Sequence, residues 1–150
     1  MIYSYPDYYK KFRCIADKCP DTCCSDWQIV IDDESLEKYR NYAGEYRQTL
    51  HRNIQWEEGV FGHNRKGKCA FLRDDGLCDM YKHMGKDSLC TTCREYPRHT
   101  EEFENIREIS LSLSCPEVAR ILMQKTEPVT FVCEEDDEEE VFEDYDYFLF

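Results

Sequence analysis

Apolar residues in the segment "DWQIVID" fall on every second position, at Trp27, Ile29 and Ile31. A period of two predicts a short strand, because successive strand side chains point to opposite faces of a sheet. Asp32 or Asp33 follows, and either side chain is suited to cap the first N–H groups of a helix. The pattern therefore predicts a strand that leads directly into a helix.

The next apolar pattern has helical spacing. Its members recur at steps of three and four residues: Leu36, Tyr39, Ala43, Tyr46, Leu50 and Ile54. This spacing predicts a helix near residues 34–53 with one buried face. Gly44 interrupts the pattern, and glycine is less favourable than alanine inside a helix, so the helix has a weak point there.

A loop, a turn and a helix end are predicted further along the chain. Residues 57–68, "EEGVFGHNRKGK", hold three glycines and several charges and show no periodic apolar face, which is typical of a loop. The short apolar run "CAFL" ends at the turn signal "RDDG". Pro97 forces the chain out of helical geometry near Tyr96, because the residue before a proline avoids the α region.

The segment "IREISLSLSC" allows two interpretations. Ile109, Leu111 and Leu113 alternate with serines, which favours an extended segment. A helix with Phe103, Ile106, Ile109 and Leu113 on one face is the alternative.

A second helix is predicted near residues 116–125. Ser114 and Pro116 suit its N-cap and its first turn. Taken with the elements above, this helix predicts a small, loop-rich α+β fold with a few helices and short strands.

Acidic residues are concentrated at the end of the chain. The 150 residues carry a formal net charge of −13, and residues 134–150 hold ten Asp/Glu and no Lys/Arg. Residues 1–133 hold 22 acids against 19 bases, a net charge of only −3. We predict a cysteine-rich domain over residues 1–133 and an acidic-aromatic tail over residues 134–150, which is flexible or begins a further region.

Several classes of partner and location are disfavoured. The negative charge repels nucleic acid phosphates. No apolar run approaches the roughly 18 residues of a membrane-spanning helix, so no membrane partner is expected. The first residues, "MIYSYPDYYKKF", contain no apolar signal-peptide core, so we expect a cytoplasmic protein whose thiols stay reduced.

Ten cysteines are the most informative feature of the composition. Eight of them fall in three groups: Cys14, Cys19, Cys23 and Cys24, then Cys69 and Cys78, then Cys90 and Cys93. The spacing "CTTC" lets two sulfur atoms reach one metal from a single turn, so ligation of a metal or an iron–sulfur cluster is favoured. Disulfides and reduced buried thiols are the alternatives, and disulfides require an oxidising compartment.

The cysteines allow more than one type of metal centre. Zinc and iron–sulfur clusters both accept four thiolates, and the four histidines show no ligand spacing. The radical S-adenosylmethionine pattern C-x3-C-x2-C is absent, because position 26 is an aspartate. Cys23 and Cys24 point apart on an extended backbone, so one of them packs or the two serve different centres.

Four stretches of the chain carry a resemblance to a known family. They are "YYKKFRCIADKCPDTCCSDWQIVID", "KCAFLRDDGLCDMY", "LCTTCREYPRH" and "REISLSLSCPEVARIL". In this order they resemble the N-terminal portion of the flagellin lysine-N-methylase family and, more distantly, bacterial cysteine-cluster domains that chelate zinc or iron. The similarity covers roughly residues 5–130.

The resemblance implies a set of metal-ligating residues, namely Cys14, Cys19, Cys23, Cys24, Cys69, Cys78, Cys90, Cys93 and Cys115. It implies transfer of methyl groups from S-adenosylmethionine to lysine ε-amino groups of flagellin, with a 4Fe-4S cluster or zinc held by these cysteines. Arg94, Tyr96 and Arg98, next to "CTTC", are candidates for lining the donor or substrate pocket. The alternative is that the tyrosine packs against the metal-binding lobe and the arginines pair with the excess carboxylates. No residue is identified as the catalytic base by its spacing.

A non-catalytic zinc- or iron-chelating module is the alternative function, because members of the family are longer than this chain. Under that alternative the metal supports folding, as in small metallo-domains, or the acidic-aromatic tail captures a partner protein. In either case the cysteine-bearing loops are expected to converge on one metal-centred lobe.

Overall fold

The computed structural model describes residues 1–136. The chain forms two compact units, one of residues 14–96 and one that contains residues 1–13 and 97–136. The predicted α+β class is confirmed, because both α-helices and β-sheets are present. No helix within residues 1–136 is long and apolar enough to cross a membrane.

Five α-helices and six strands are present within residues 1–136. The helices are α1 (Asp33–Asn41), α2 (Arg47–Arg52), α3 (Asp79–Met84), α4 (Thr91–Glu95) and α5 (Pro116–Met123). The strands are β1 (Ile2–Pro6), β2 (Ile54–Gln55), β3 (Val60–Phe61), β4 (Arg98–Phe103), β5 (Ile106–Leu111) and β6 (Phe131–Glu135).

Asp32 caps α1, as predicted. Its side chain accepts a hydrogen bond from the Ser35 backbone N–H at 3.0 Å, which satisfies one of the unpaired donors of the first turn. The prediction of one helix over residues 34–53 is wrong in the middle. Tyr42 adopts an extended backbone (φ −63°, ψ 125°), so α1 ends before it and the chain becomes helical again only at α2.

Most of the buried face predicted for this region is confirmed. The fully packed positions are Tyr39, Tyr46, Leu50 and Ile54. Leu36 packs against the same core, whereas Ala43 lies in the break between the helices and is exposed.

Strands β2 and β3 form a two-stranded antiparallel sheet. The prediction of a loop across residues 57–68 is therefore wrong at Val60 and Phe61, which are buried and pair with β2. Gly59 has a positive φ of 64°, which allows the chain to reverse just before β3. A two-residue strand has too few positions to show a period, so the apolar pattern could not reveal it.

The strand predicted around Ile29 is reduced to a single β-bridge between Val30 and Val60. Ile29 and Ile31 are buried, with 1% and 3% exposure, whereas Trp27 is 39% exposed. The alternation was therefore right for the two isoleucines and wrong for Trp27.

Two local predictions from turn and proline chemistry are confirmed. The Gly76 N–H donates to the Arg73 carbonyl at 3.0 Å, which closes the turn of "RDDG". Helix α4 ends at Glu95, and Tyr96 has a ψ of 134°, so the chain leaves helical geometry just before Pro97.

The unit that contains residues 1–13 and 97–136 is built on a four-stranded sheet with the strand order β4-β5-β1-β6. Strand β1 is parallel to β5 and antiparallel to β6, and β4 is antiparallel to β5. The extended interpretation of "IREISLSLSC" is confirmed, because β5 spans Ile106–Leu111, and the helical alternative was wrong.

The N-cap of α5 differs from the prediction. Cys115, and not Ser114, occupies the N-cap position, and Pro116 is the first helical residue as expected. At the other end of this unit, Glu134 and Glu135 of the predicted tail lie in β6. Residues 137–150, which hold the rest of that tail, lie outside the described residues.

Candidate metal centre

Two backbone hydrogen bonds join the first cysteine-bearing segment to the second. The Cys69 N–H donates to the Cys24 carbonyl at 2.7 Å, and the Asp26 N–H donates to the Gly67 carbonyl at 3.0 Å. Cys23 and Cys24 lie in a turn and not in the extended backbone assumed above. Their thiols therefore meet, and Cys23 donates a hydrogen bond to the Cys24 sulfur.

The turn at "RDDG" returns the chain from Cys69 to Cys78. Leu72 and Cys78 form an isolated β-bridge, and the Asp79 N–H donates to the Phe71 carbonyl at 2.7 Å. Cys78 then occupies the N-cap position of α3. A short reversal thus places both cysteines of the second segment at the same end of α3.

Cys90 and Cys93 belong to the third segment, at the start of α4 and within it. Cys90 is completely buried, and its sulfur lies 4.0 Å from the Val30 carbonyl oxygen. The Thr92 hydroxyl donates to the same carbonyl at 2.7 Å. These contacts anchor α4 to the segment that leads from the first cysteines into α1.

Asp32 holds α1 and α4 together. One of its carboxylate oxygens accepts the Ser35 N–H at 3.0 Å, and the other accepts the Thr91 N–H at 2.8 Å. Partial burial opposes ionisation of Asp32, but the hydrogen bonds from Thr91 and Ser35 outweigh it and lower the pKa of Asp32 from 3.8 to about 2. The carboxylate is therefore charged at neutral pH and fixes the start of α4.

Five cysteines from the three segments share one hydrophobic core. Cys69 and Cys90 are buried members of that core, and Cys24, Cys78 and Cys93 pack against it. All ten cysteines of the chain are free thiols. Apolar packing has therefore brought together side chains that lie far apart in the sequence, without any disulfide.

Two pairs of thiols are each joined by a hydrogen bond between the two sulfur atoms. The hydrogen bond from Cys23 to Cys24 raises the pKa of Cys23 and lowers that of Cys24. The hydrogen bond from Cys93 to Cys90 likewise raises the pKa of Cys93 and lowers that of Cys90. Cys24 and Cys90 are therefore the thiols that ionise first in their pairs.

Burial is the main influence on the pKa values of the remaining two thiols, Cys69 and Cys78. Loss of hydration raises the pKa of Cys69 to about 11 and also raises the pKa of Cys78. Repulsion from the charged forms of Cys78, Cys90 and Cys23 adds to the effect at Cys69. The thiols of all three segments are thus close enough to influence one another electrostatically.

These contacts define a six-thiol group, consisting of Cys23, Cys24, Cys69, Cys78, Cys90 and Cys93. Its donor set fits a thiolate-bound centre, because soft sulfur ligands select zinc or iron–sulfur clusters. In the present side-chain conformations, residues 1–136 contain no group of three Cys, His, Asp or Glu side chains arranged to hold a metal ion. The hydrogen bonds inside the two thiol pairs must break before those sulfur atoms can become ligands.

Three of the predicted metal ligands lie outside the six-thiol group. Cys14 is exposed, Cys19 directly follows a 3-10 turn, and neither packs in the core that holds five of the other thiols. Cys23 is exposed as well, but it belongs to the group through its hydrogen bond to Cys24. Cys115 is buried at the N-cap of α5, in the unit that contains the four-stranded sheet. Cys133, which was not predicted as a ligand, is exposed on β6 of that unit.

The three residues predicted to line a donor or substrate pocket do not all belong to one unit. Arg94 is exposed on α4 and donates hydrogen bonds to the Thr91 hydroxyl at 3.2 Å and to the Glu95 carboxylate at 3.3 Å. Tyr96 caps the end of α4. Arg98 begins β4 in the other unit, where its guanidinium lies over the ring of Phe12, 5.3 Å from the ring centroid.

Trp27 is a candidate that the apolar pattern missed, because its alternation with Ile29 assigned it to a buried face. Its indole N–H donates to the Cys23 carbonyl at 2.7 Å. Its ring lies 5.8 Å from the ring of Tyr96, at an interplanar angle of 34°. In the sequence, Trp27 is marked only by its position four residues after Cys23, and this spacing does not predict a contact unless the fold is known.

Two buried tyrosines lie beside the thiols. The Tyr39 hydroxyl donates to the Ser88 carbonyl at 2.6 Å, and the Tyr46 hydroxyl donates to the Asp79 carboxylate at 2.6 Å. Burial raises the pKa of both phenols, and neighbouring thiolates or carboxylates add to the effect. Both phenols are therefore neutral hydrogen-bond donors at neutral pH.

Comparison with known proteins gives consistent matches. The family model CxxCxxCC, "Putative zinc- or iron-chelating domain", matches residues 13–116. The lysine-N-methylases of Salmonella typhimurium and Salmonella choleraesuis are each 34% identical over 127 residues, which cover 78% of this chain and 31% of each relative. The flagellar biosynthetic protein FliU of Salmonella muenchen is also 34% identical over 127 residues, which cover 78% of this chain and 75% of FliU. No solved structure is significantly similar to the chain.

The range that matches the family model contains all six members of the six-thiol group. It is more than half of the chain, whereas the chain spans only about a third of the length of the two lysine-N-methylases. The chain belongs to the CxxCxxCC family of zinc- or iron-chelating domains and is a relative of lysine-N-methylase and FliU.

Proposed function

We propose that the six-thiol group binds a metal centre, either zinc or an iron–sulfur cluster of the 4Fe-4S type. One observation carries the proposal: thiols from three separate segments share a single core without any disulfide. Thiolates are the ligands that both kinds of centre take. Free cysteines also pack as small apolar side chains, but five of them in one core supply the four thiolates that either kind of centre takes.

Metal uptake by this group requires the loss of thiol protons. Cys24 and Cys90 lose theirs most readily, because hydrogen bonds from Cys23 and Cys93 lower their pKa values. Cys69 follows later, because burial raises its pKa to about 11. Metal binding therefore releases protons and becomes stronger as pH rises.

We further propose that the chain acts within a lysine-N-methylase-like protein of the cytoplasm. Two of its relatives are named lysine-N-methylase, and a third is named flagellar biosynthetic protein FliU. The reaction would transfer a methyl group from S-adenosylmethionine to the ε-amino group of a lysine in flagellin.

Lysine methylation makes two demands on a protein. The amine must be neutral to attack the methyl group, although free lysine has a pKa of roughly 10.4, and donor and amine must be held in contact. An iron–sulfur cluster, when bound, would supply an open iron to the amino and carboxylate groups of the donor. Arg94, Tyr96 and Arg98 are proposed to contact the donor or the substrate, and the catalytic base is not assigned.

Anaerobic purification followed by elemental analysis and visible spectroscopy tests the metal centre. Zinc gives a colourless protein with stoichiometric zinc, whereas an iron–sulfur cluster gives a brown protein with iron and sulfide. A folded chain that contains neither metal contradicts the proposal.

Co-expression with flagellin tests methyl transfer. Mass spectrometry should show methyl-sized increments on flagellin lysines that are absent from flagellin expressed alone. A chain that holds its metal but leaves flagellin unmodified would contradict autonomous activity and would favour the second candidate below.

The second candidate is a non-catalytic zinc- or iron-chelating module that serves metal binding or protein interaction. It is supported by the family model, whose description, "Putative zinc- or iron-chelating domain", refers to metal chelation and to no reaction. Removal of residues 137–150, the part of the predicted 134–150 tail that follows β6, distinguishes a module that only binds metal from one whose tail binds a partner protein. If the tail captures a partner, its removal abolishes capture and leaves the metal content unchanged.

A further inference from the structure

Two aromatic rings meet at the surface of the unit that holds the thiols. The rings of Trp27 and Tyr96 lie 5.8 Å apart between centroids, at an angle of 34°. Trp27 is 39% exposed, so part of the residue remains open to solvent. The indole N–H is already satisfied by the Cys23 carbonyl at 2.7 Å, which fixes the orientation of the ring.

The two rings come from the two segments that carry the hydrogen-bonded thiol pairs. Trp27 lies four residues after Cys23, and Tyr96 lies three residues, about one helical turn, after Cys93. Asp26 adopts a positive φ of 68° immediately before Trp27, and its N–H is held by the Gly67 carbonyl at 3.0 Å. The position of the indole is therefore set by a constrained backbone and by a contact with a thiol-bearing segment.

Another tryptophan in this chain shows what such a ring can bind. The Arg40 guanidinium lies over the ring of Trp56, 5.6 Å from its centroid. Among residues 1–136 no lysine or arginine lies over the ring of Trp27. A cation above an indole face is attracted by the ring quadrupole, and Trp is the most effective side chain for this purpose.

We propose that Trp27 and Tyr96 form an aromatic site for the sulfonium cation of a methyl donor, beside the six-thiol group. The inference rests on the proposed methyl-transfer function and assigns the donor-binding site to these two rings. Such a site would bind S-adenosylmethionine more tightly than S-adenosylhomocysteine, because the product has a neutral thioether in place of the sulfonium.

The sulfonium is favoured over a lysine ammonium by the chemistry of the reaction. A ring that stabilises an ammonium ion raises the pKa of that lysine and opposes the deprotonation that methyl transfer requires. A sulfonium has no proton to lose, so the same attraction holds the donor without this penalty.

Binding measurements on the full chain test the site. Calorimetric titrations with S-adenosylmethionine and S-adenosylhomocysteine are compared for the unmodified chain, Trp27→Leu and Trp27→Phe. Trp27→Leu should weaken binding of the donor by about two- to fivefold and leave binding of the product unchanged. Trp27→Phe, which keeps an aromatic face, should retain most of the preference for the cation.

Trp56→Leu is the matched control, because Trp56 also donates its indole N–H to a backbone carbonyl, that of His51 at 3.1 Å. This variant should leave the ratio of donor to product affinity unchanged. A second readout comes from Trp56→Phe, which leaves Trp27 as the sole tryptophan of a chain that contains two. Its emission should change with S-adenosylmethionine at concentrations at which S-adenosylhomocysteine has a smaller effect.

The outcomes separate this inference from the proposed function. Equal weakening of donor and product by Trp27→Leu, or no weakening of either, overturns the aromatic site alone. No binding of the donor to the unmodified chain overturns both the aromatic site and the proposed methyl transfer. A lysine-containing peptide is titrated in the same way. If Trp27→Leu weakens binding of this peptide and not of the donor, the aromatic site is overturned and the rings are assigned to the lysine amine. The metal content of the unmodified chain and of each variant is measured in parallel. An unmodified chain that contains no metal contradicts the metal centre and not the aromatic site.

Discussion

Replacing Asp32 with asparagine removes one of the two hydrogen bonds through which its carboxylate joins the start of α1 to the start of α4. In the folded chain one carboxylate oxygen accepts the Ser35 N–H at 3.0 Å and the other accepts the Thr91 N–H at 2.8 Å. Asparagine has a single acceptor oxygen, so it can keep only one of these bonds and must direct its NH2 group towards the other N–H. Asp32→Asn should therefore loosen either the start of α1 or the start of α4.

The expected cost follows from the charge and the exposure of the group. A hydrogen bond to a charged acceptor contributes about 1.5–3 kcal/mol, and loss of a helix N-cap costs about 0.5–2 kcal/mol. Asp32 is only partly buried, and solvent screening reduces both values. We expect a loss of about 1–2 kcal/mol in the free energy of unfolding, which corresponds to about 2–4 °C in Tm for each kcal/mol in a chain of this size.

The pH dependence of that loss identifies its cause. The folded chain holds the pKa of Asp32 at about 2, below its ordinary value of 3.8. A carboxylate with a lowered pKa stabilises the fold fully above its unfolded pKa, and this stabilisation disappears as pH falls through the folded pKa. The difference between the unmodified chain and Asp32→Asn should therefore be complete above about pH 4 and should shrink towards about pH 2.

Urea unfolding followed by circular dichroism, at neutral pH and at several values down to about pH 2, measures this difference. Asp33→Asn is the control, since Asp33 is an exposed residue in the first turn of the same helix. Its effect should stay within about 0.5 kcal/mol. Equal losses in the two variants, or an Asp32→Asn effect that does not change with pH, would refute the role assigned to Asp32.

Three further predictions concern the core and the thiols. Leu50→Ala should cost about 2–5 kcal/mol in urea unfolding, because Leu50 is completely buried, whereas Met123→Ala, at a position that is 87% exposed, should cost less than about 0.5 kcal/mol. Metal affinity, measured by competition with a chelator of known affinity, should rise from pH 6 to pH 8, because thiol protons must leave before binding; an affinity that falls over this range contradicts thiolate ligation. Cys115→Ser should leave the metal content unchanged, because Cys115 caps α5 and lies outside the six-thiol group; loss of metal would add Cys115 to the ligands.

Local chemistry made several elements predictable from the sequence. Asp32 was expected to cap a helix, Gly76 to lie in a turn, and Tyr96 to leave helical geometry before Pro97, and each is observed. The buried face through Tyr39 and Leu50 was also expected, because it depends only on the 3.6-residue period of a helix. These features share one property, which is that their causes lie within a few residues of their effects.

Elements that depend on distant contacts could not be predicted in the same way. Strand β3 is only two residues long and exists because it pairs with β2 and bridges to Val30. The parallel pairing of β1 with β5 joins residues about a hundred positions apart, and no periodicity within one segment encodes such a partner. Trp27 is exposed for a related reason, since the chain continues past it as a single bridge and not as a strand with a buried face.

The candidate site also combines features that local spacing predicts with features that depend on distant contacts. The spacing of Cys90 and Cys93 indicated two ligands on one turn, which is a local signal. The meeting of that pair with Cys24 and Cys69 depends on hydrogen bonds such as Cys69 N–H to Cys24 O, at 2.7 Å, and on shared packing in one core. The separation of Cys115 into the other unit was likewise invisible in the spacing.

Metal analysis of anaerobically purified protein tests the central claim most directly. The unmodified chain, Cys69→Ser, Cys93→Ser and Cys133→Ser are compared by mass spectrometry of zinc and iron per chain. Cys133 is the control, because it is an exposed thiol on β6, outside the six-thiol group. We predict a stoichiometric metal centre in the unmodified chain and in Cys133→Ser, and loss of most of the metal in Cys69→Ser and Cys93→Ser. A metal-free unmodified chain, or the same metal content in all four proteins, would contradict the assignment of these thiols as ligands.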